Sequence, residues 1–239
     1  MLYLLAAVAI GLSLVGLLYV LYKRLQRQKV KRRIAPPYKI AVLLTTYITS
    51  EQERKDMYLR NIQRWLRDTD LDIYVVDSSN QGVAIQHPRL KVLTFDQAKA
   101  NLPHNPTLSY KERTSLLKAY AHFEEHLQAY DYVFKITGKY VIPQLQAYAD
   151  SAPPGTDVIC QNLQITHGQN TELLGVRPYL LAPLVSKIEN TEDRNFERIM
   201  HETVQSSPWT IHRLLPIPLD QSYPRSDGST LKELMALTE

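Results

Sequence analysis

The chain has a single cysteine, Cys160, among its 239 residues. An internal disulfide framework is therefore excluded, and the protein does not depend on an oxidising compartment. It also lacks an Asn-x-Ser/Thr acceptor for glycosylation, because the one correctly spaced triplet, Asn105-Pro106-Thr107, contains a proline. Both absences favour a body that faces reducing conditions.

Glycine is scarce as well, with eight residues in the chain. The sequence contains no Gly-x-x-x-x-Gly-Lys-Ser/Thr loop, no Gly-x-Gly-x-x-Gly fingerprint, no Gly-x-Ser-x-Gly elbow and no His-Glu-x-x-His helix. These absences argue against P-loop nucleoside triphosphatases, dinucleotide-dependent enzymes, serine hydrolases of the elbow type and zinc proteases. The loop 45–49 after the first predicted strand also lacks the glycine-rich basic sequence that nucleotidyltransferases carry there.

The amino-terminal segment is the longest apolar stretch, with no charged side chain from Leu2 to Tyr22. As a helix, it would be roughly 30 Å long, which is enough to cross a bilayer core. A cleaved signal peptide is the alternative, but its apolar core is shorter, about 7–15 residues, and has positive charge in front of it. We therefore expect an uncleaved transmembrane anchor over residues 1–22.

A basic cluster follows this anchor, and no acidic residue interrupts it; its members are Lys23, Arg24, Arg27, Lys29, Lys31, Arg32 and Arg33. By the positive-inside rule the rest of the chain faces the cytoplasm. The formal net charge is +4, so the chain outside the cluster is slightly acidic and its charge is no argument for nucleic acid. We expect residues 23–37 to form a membrane-proximal stem that contacts anionic lipid headgroups.

After Pro36-Pro37, residues 38–239 have the size and composition of one domain. Short apolar runs alternate with segments of helical periodicity, which predicts a mainly parallel sheet covered by helices on both faces. The predicted strands are 39–44, 71–76, 90–95, 132–136 and 209–215. Helices are predicted after Ser50 and Ser109 and over about 192–206.

Two capping boxes are predicted to open the first two helices: Ser50 with Glu53, and Ser109 with Glu112. Glu112 could instead contact a substrate, but three residues after Ser109 the capping role is the simpler interpretation. Ligands of parallel sheets bind beyond the carboxyl ends of the strands. The candidate site is therefore built from three strand ends: 45–47, 77–79 and 137–139.

The residues Ile40-Ala41-Val42-Leu43-Leu44-Thr45-Thr46-Tyr47, followed by a helix and by Ile73-Tyr74-Val75-Val76-Asp77-Ser78-Ser79-Asn80, resemble the opening of the GT-A fold glycosyltransferases. The segment 130–140 is similar to the corresponding part of small glycosyltransferase-like proteins of bacteria and large DNA viruses. The resemblance covers most of residues 38–145. It implies a GT-A-like, Rossmann-like domain in which Thr45, Tyr47, Asp77 and Ser78 hold the nucleoside of a nucleotide sugar.

One departure from that family concerns the metal. Most GT-A enzymes place an Asp-x-Asp after the strand that corresponds to 132–136, whereas this chain has Lys135-Ile136-Thr137-Gly138-Lys139 there. Fixed cations can neutralise a leaving diphosphate as a metal does. We therefore expect catalysis that requires no cofactor, with Lys139 and Lys135 on the phosphates and Gly138 allowing a close backbone approach. Mn²⁺ or Mg²⁺ remains the alternative.

Candidates for the general base come from the helix at 192–206, where Glu197 lies at the edge of the apolar stripe and Asp193 one turn before it. Arg225, in a loop near the carboxyl terminus, is a further candidate for the phosphates, and His212 is a weaker one. His122 and His126 have zinc-binding spacing, but they lie off the apolar stripe of their helix and are expected at the surface.

Together these features predict a single-pass membrane protein that moves a sugar from a nucleotide-sugar donor to a hydroxyl of a glycan, lipid or protein acceptor. The alternative belongs to another class: a membrane-tethered binding or scaffold protein that keeps the fold without catalysis. The absence of the Asp-x-Asp after residue 136 is the main argument for it. Nucleotide binding discriminates between the two.

Overall fold

The computed structural model describes residues 35–48, 51–162, 169–191, 196–215 and 220–221. The chain divides between Ala35 and Pro36, and the fold reported below belongs to the unit that begins at Pro36. The expected anchor at 1–22 and most of the expected stem lie outside the described residues. Within the described part of the chain, no helix is both long enough and apolar enough to span a bilayer.

The described residues form strands and helices that largely alternate along the chain. The strands are β1 (Ile40–Thr46), β2 (Asp72–Asp77), β3 (Leu90–Thr94), β4 (Tyr132–Thr137), β5 (Tyr140–Val141), β6 (Val158–Asn162), β7 (Gln169–Val176), β8 (Ile211–Leu214) and β9 (Asp220–Gln221). The helices are α1 (Gln52–Asp68), α2 (Leu108–Leu127), α3 (Leu145–Asp150), α4 (Pro178–Val185) and α5 (Phe196–Gln205).

Seven of these strands form one sheet in the order β3-β2-β1-β4-β7-β6-β8. β1 pairs in parallel with β2 and β4, β2 with β3, and β6 with β8, while β7 runs antiparallel to both of its neighbours. A separate two-stranded ribbon joins β5 and β9. The predicted fold class, a mainly parallel sheet flanked by helices, is therefore confirmed for the described domain.

Alternate residues of the central strands bury opposite faces of the sheet. Ala41 and Leu43 of β1 and Val133 of β4 are fully buried in a cluster with Leu116 and Phe123 of α2. α1 is tied to β5, the short strand that follows the turn after β4, because the Trp65 indole N–H donates to the Tyr140 carbonyl. The strands of the site are thereby fixed by apolar burial along their length.

The two predicted capping boxes are both displaced. α1 begins at Gln52, with Glu51 at the N-cap position and no side-chain cap there; Ser50 lies outside the described residues. α2 begins at Leu108, because the side chain of Thr107 accepts the N–H of Tyr110 at 3.2 Å and caps the helix two residues before the predicted Ser109. The capping role predicted for Glu112 is therefore wrong.

The amino-terminal edge of the sheet is held by Arg177, which precedes α4 and is 3% exposed. Its guanidinium lies 4.1 Å from the centre of the Tyr132 ring and donates to the carbonyls of Thr156 and Asp131. Cys160 lies buried within β6, where burial raises the pKa of its thiol to about 11. The contacts of Arg177 occupy the amino-terminal edge, and the candidate site lies at the opposite, carboxyl-terminal edge.

Candidate active site

The strand order places a topological switch point between β1 and β4. From β1 the chain moves outward through β2 to β3, and it then returns to the other side of β1 as β4. Connections that leave two neighbouring parallel strands in opposite directions open a crevice at their carboxyl ends, and ligands of such sheets bind there. The register is level, since Thr45 pairs with Thr137 and Thr46 with Asp77. The three predicted strand ends therefore meet.

Asp77, at the end of β2, is fully buried and shapes the loop that follows it. Its carboxylate accepts hydrogen bonds from the N–H groups of Ile48, Ser79 and Gly82 and from the hydroxyl of Ser79. Asn80 and Gly82 have positive φ angles of 63° and 74°, which allow the tight turn around the carboxylate. In the unliganded chain, Asp77 thus ties the β1 and β2 loops together.

Ser78 and Tyr47 differ in accessibility. Ser78 is 5% exposed, and both its N–H and its hydroxyl donate to the Thr46 carbonyl. Tyr47, by contrast, is 47% exposed at the end of β1, although the next residue, Ile48, is buried. An aromatic ring presented at a strand end in this way is a surface on which a planar base can stack.

Lys135 of β4 is almost completely buried, with 1% of its side chain exposed. Its ammonium lies 2.6 Å from Oε1 of Glu112 on α2 and 5.0 Å from the centre of the Phe196 ring at the start of α5. The same Glu112 oxygen accepts the hydroxyl of Thr45 at 3.4 Å. Because Thr45 lies near the carboxyl end of β1, the lysine head group lies at the level of the strand ends.

Gly138 is packed too closely for a side chain. A Cβ at this position would lie 2.6 Å from Cγ2 of Thr46 and 3.1 Å from the Thr45 carbonyl oxygen. Its own N–H donates to that carbonyl, and its own carbonyl accepts the side-chain amide of Asn61. Close packing of the turn on β1 and α1 therefore explains this glycine.

Lys139 follows directly and is partly exposed. Its ammonium lies 5.0 Å from the centre of the Tyr140 ring, a cation–π distance. Lys139 lies two residues beyond the end of β4, beside the crevice. The Lys135 ammonium, in contrast, lies on the face of the sheet that α2 covers. The two lysines predicted to bind phosphate approach the strand ends from different directions.

The remaining predicted site residues are described only in part. Glu197 is the second residue of α5, a helix that Phe196 brings against Lys135. Asp193 and Arg225 lie outside the described residues. His212 lies at the amino end of β8 and hydrogen-bonds Ser151 at 3.1 Å, and burial lowers the pKa of its imidazole. Since β8 runs parallel to β6, His212 is at the edge of the sheet opposite the crevice.

The acidic groups at the described strand ends do not fit a divalent cation. Asp77 is occupied by hydrogen bonds from the protein, and Glu112 is paired with Lys135. Among the described residues, no group of three or more His, Cys, Asp or Glu side chains is arranged to hold a metal. The chain contains the Asp-x-Asp triplets 68–70 and 70–72, but they lie before and at the first residue of β2, at the opposite edge.

No protein-family model matches the sequence, and no curated protein is similar to it in sequence. Solved structures of similar fold include a proposed nucleotide-diphospho-sugar transferase from Desulfovibrio desulfuricans, at 13% identity and a TM-score of 0.47. That comparison covers 74% of this chain and 80% of the other.

Two further solved structures resemble this chain in fold. One is 4-diphosphocytidyl-2C-methyl-D-erythritol synthase from Anaerococcus prevotii, at 8% identity and a TM-score of 0.48, covering 85% of this chain and 97% of that one. The other is glucosyl-3-phosphoglycerate synthase from Mycobacterium tuberculosis, solved with Mn²⁺, UDP and glucosyl-3-phosphoglycerate. Its identity is 14% and its TM-score 0.40, covering 88% of this chain and 78% of that one.

Proposed function

We propose that the protein is a membrane-anchored glycosyltransferase that moves a sugar from a nucleotide donor to a hydroxyl acceptor. The observation that carries the proposal is that Tyr47 is exposed at the end of β1, while Lys135 and Lys139 bring ammonium groups toward the carboxyl ends of β1 and β4 from different sides. An exposed aromatic ring suits a base, and two ammonium groups suit a diphosphate. One crevice at a switch point thereby offers a partner for each half of a nucleoside diphosphate.

In this proposal the nucleoside stacks on Tyr47, and the loop held by Asp77 supplies the edge of its pocket. Because the Asp77 carboxylate already accepts four hydrogen-bond donors, its first effect on the donor is to fix Ile48 and the turn 79–82 in place. A direct bond from Asp77 to the base or ribose, as the resemblance to GT-A enzymes implies, adds to this role where the ligand replaces one of those donors.

The reaction breaks the bond between the anomeric carbon and the diphosphate oxygen, and that oxygen leaves with the electron pair. The acceptor hydroxyl forms the new bond and gives its proton to a carboxylate, for which Glu197 and Asp193 remain the candidates. Lys139 and Lys135 stabilise the negative charge that develops on the leaving diphosphate. No divalent cation enters these steps, so the mechanism requires no cofactor.

The proposed location rests on the amino-terminal sequence. A transmembrane segment at 1–22 followed by a basic stem keeps the domain at the cytoplasmic surface of a membrane. There its hydroxyl acceptor is a glycan, lipid or protein at that surface, and the stem contacts anionic lipids. Nucleic acid is not a partner in this proposal.

The full chain, purified in detergent, tests the proposal in a thermal-shift screen against nucleoside diphosphates and their sugars. A ligand present at 100 times its Kd stabilises the folded state by about 2.7 kcal/mol, which is a measurable rise in Tm. Tyr47→Ala should reduce that rise, and Leu215→Ala, which removes an apolar side chain that is 85% exposed just after the edge strand β8, should not.

Product analysis then separates an enzyme from a binding protein. Release of nucleoside diphosphate from a sugar donor supports transfer or donor hydrolysis, whereas release of inorganic pyrophosphate from a nucleoside triphosphate would indicate nucleotidyl transfer instead. Binding without turnover would favour the scaffold alternative. A chain whose Tm no nucleotide changes would contradict the proposal altogether.

A further inference from the structure

Lys135 presents an unusual combination of burial and charge. It lies in the middle of the sheet, 1% exposed, at a position where the neighbouring residues Phe134 and Ile136 are fully buried and apolar. A buried ammonium is stable only if it is paired and hydrogen-bonded. Among the described residues, Glu112 supplies the countercharge at 2.6 Å.

The two partners of this ion pair differ in exposure. The side chain of Glu112 is 25% exposed, while that of Lys135 is 1% exposed. Glu112 lies in the first two turns of α2, and within the described residues both of its contacts, with Lys135 and with Thr45, are made by the single oxygen Oε1. The carboxylate therefore lies between the buried ammonium and the solvent.

An anion that approaches the Lys135 ammonium from the side of Glu112 meets the more exposed carboxylate first. Two anions cannot share one ammonium at close range without strong repulsion, so a diphosphate and the Glu112 carboxylate compete for it. The carboxylate is long and partly solvated, so it can turn toward water, whereas Lys135 is fixed among apolar side chains. Exchange of one anion for the other keeps the buried charge neutralised throughout.

We propose that Glu112 is a displaceable counter-ion: it neutralises Lys135 in the unliganded protein, yields it to the diphosphate of the donor, and returns when the product leaves. This inference rests on the proposed function and adds a positioning residue to it. Glu112 then lowers affinity for diphosphate, prevents smaller and less charged anions from occupying the site, and speeds product release.

The test substitutes Glu112→Gln in the full chain in detergent. Glutamine keeps the size of the side chain and an oxygen that can accept from Lys135, but it removes the competing charge. The control is Glu125→Gln, which removes the same charge from an exposed position on the same helix. Calorimetry with inorganic pyrophosphate and with UDP measures affinity, and the Tm measures stability.

We expect Glu112→Gln to bind pyrophosphate and UDP about tenfold more tightly than the wild type, since close charge pairs couple by more than 1.4 kcal/mol. Its Tm without ligand should be lower, and pyrophosphate should restore it. In turnover, both KM and kcat should fall, because the product is held longer. Glu125→Gln should match the wild type in every measurement.

A double-mutant cycle assigns the effect to the pair. In a Lys135→Met background, Glu112→Gln should no longer tighten pyrophosphate binding, because the ammonium for which the anions compete is gone. A gain of similar size in both backgrounds would overturn the proposal, since it would indicate a general charge effect. A Tm that falls in Glu112→Gln and is not restored by pyrophosphate would also overturn it.

The outcomes separate this inference from the proposed function. If the wild type binds UDP and Glu112→Gln binds it equally or more weakly, the counter-ion proposal is wrong and the nucleotide site stands. If Glu112→Gln binds pyrophosphate more tightly but neither form binds any nucleotide, the anion site stands and the glycosyltransferase proposal is wrong. If neither form binds either probe, both proposals are wrong.

Discussion

The carboxylate of Asp77 accepts the backbone N–H of Gly82 at 2.9 Å, so that one side chain closes the loop that follows β2. The same carboxylate accepts the N–H of Ile48 from the loop after β1. Two of the three loops that build the crevice are therefore held by a single buried anion. Removing it affects the shape of the site before it affects any direct contact with a ligand.

We expect Asp77→Ala to lower the free energy of unfolding by about 2–4 kcal/mol, because hydrogen bonds to a charged group are lost and several N–H groups are left without an acceptor. Nucleotide affinity should fall in parallel, by roughly 1–3 kcal/mol. Urea denaturation and calorimetry with UDP measure the two effects.

Asp70→Ala is the matched control for Asp77, since it removes an exposed carboxylate just before the same strand. It should leave both quantities unchanged. Unchanged UDP affinity in a folded Asp77→Ala protein would mean that neither the loop nor the carboxylate takes part in nucleotide binding.

Gly138→Ala should destabilise the protein by about 1–3 kcal/mol, because its Cβ would lie 2.6 Å from Cγ2 of Thr46. Thr46→Ser removes that methyl group and keeps the hydroxyl that donates to the Val76 carbonyl. The double variant should therefore recover much of the loss, as measured by urea denaturation. If Thr46→Ser does not relieve the effect of Gly138→Ala, steric overlap is not the reason for the glycine.

The strands of the site could be predicted from the sequence because their signal is local. Apolar runs at 39–44, 71–76, 90–95 and 132–136 correspond to β1 to β4, with ends that agree to within two residues. Parallel pairing then places their carboxyl ends together. β6, β7 and α4 were not predicted, because the patterns in this part of the chain are short and β7 is half polar at its start.

Glu112 illustrates what the sequence could not show. Two hydroxyl residues precede it, and the choice of Thr107 over Ser109 as the cap moves the helix start by two residues. Its partner Lys135 is far away in sequence, so the ion pair depends on how α2 packs on β4. The available signal was a lysine in an otherwise apolar strand, since a buried cation requires a countercharge.

Burial lowers the pKa of the His212 imidazole from its usual 6.5. The stability of the protein should therefore depend on pH in part through His212. Above about 6.5 the imidazole is neutral in both folded and unfolded states, and its contribution is complete. As the pH falls below that value, the unfolded chain takes up a proton that the folded protein resists, so stability is lost.

His212→Gln should therefore flatten the fall in Tm between about pH 7 and pH 5 relative to the wild type. His126→Gln, at an exposed position of α2, is the control and should not change it. A wild-type Tm that rises on acidification relative to His212→Gln would mean that the protonated imidazole is stabilised in the fold.

The basic cluster at 23–33 should keep residues 34–239 on the cytoplasmic side of the membrane. Protease added to sealed vesicles whose cytoplasmic face is outward should digest the domain. Replacing the cluster residues by glutamine should make the orientation mixed. Full protection of the wild-type domain would place it in the lumen and move the enzyme to the secretory pathway.

Sugar transfer should not require a divalent cation, because lysines stand where the carboxylates of an Asp-x-Asp are expected and the described carboxylates at the strand ends are already engaged. A chelator should leave turnover largely intact. Lys139→Ala should lower turnover on the order of a hundredfold, as loss of one preorganised electrostatic contact does.

Lys139→Arg should recover part of the turnover lost in Lys139→Ala, because the planar guanidinium keeps the charge but places it differently. Lys187→Ala, which removes a lysine beyond the end of α4, is the control and should leave turnover unchanged.

A reaction abolished by EDTA and restored by Mn²⁺ would instead require a metal site, and its ligands would be sought at Asp193 and Asp227, outside the described residues. Lys139 would then be a surface residue beside Tyr140, and its substitution would change turnover no more than the control does.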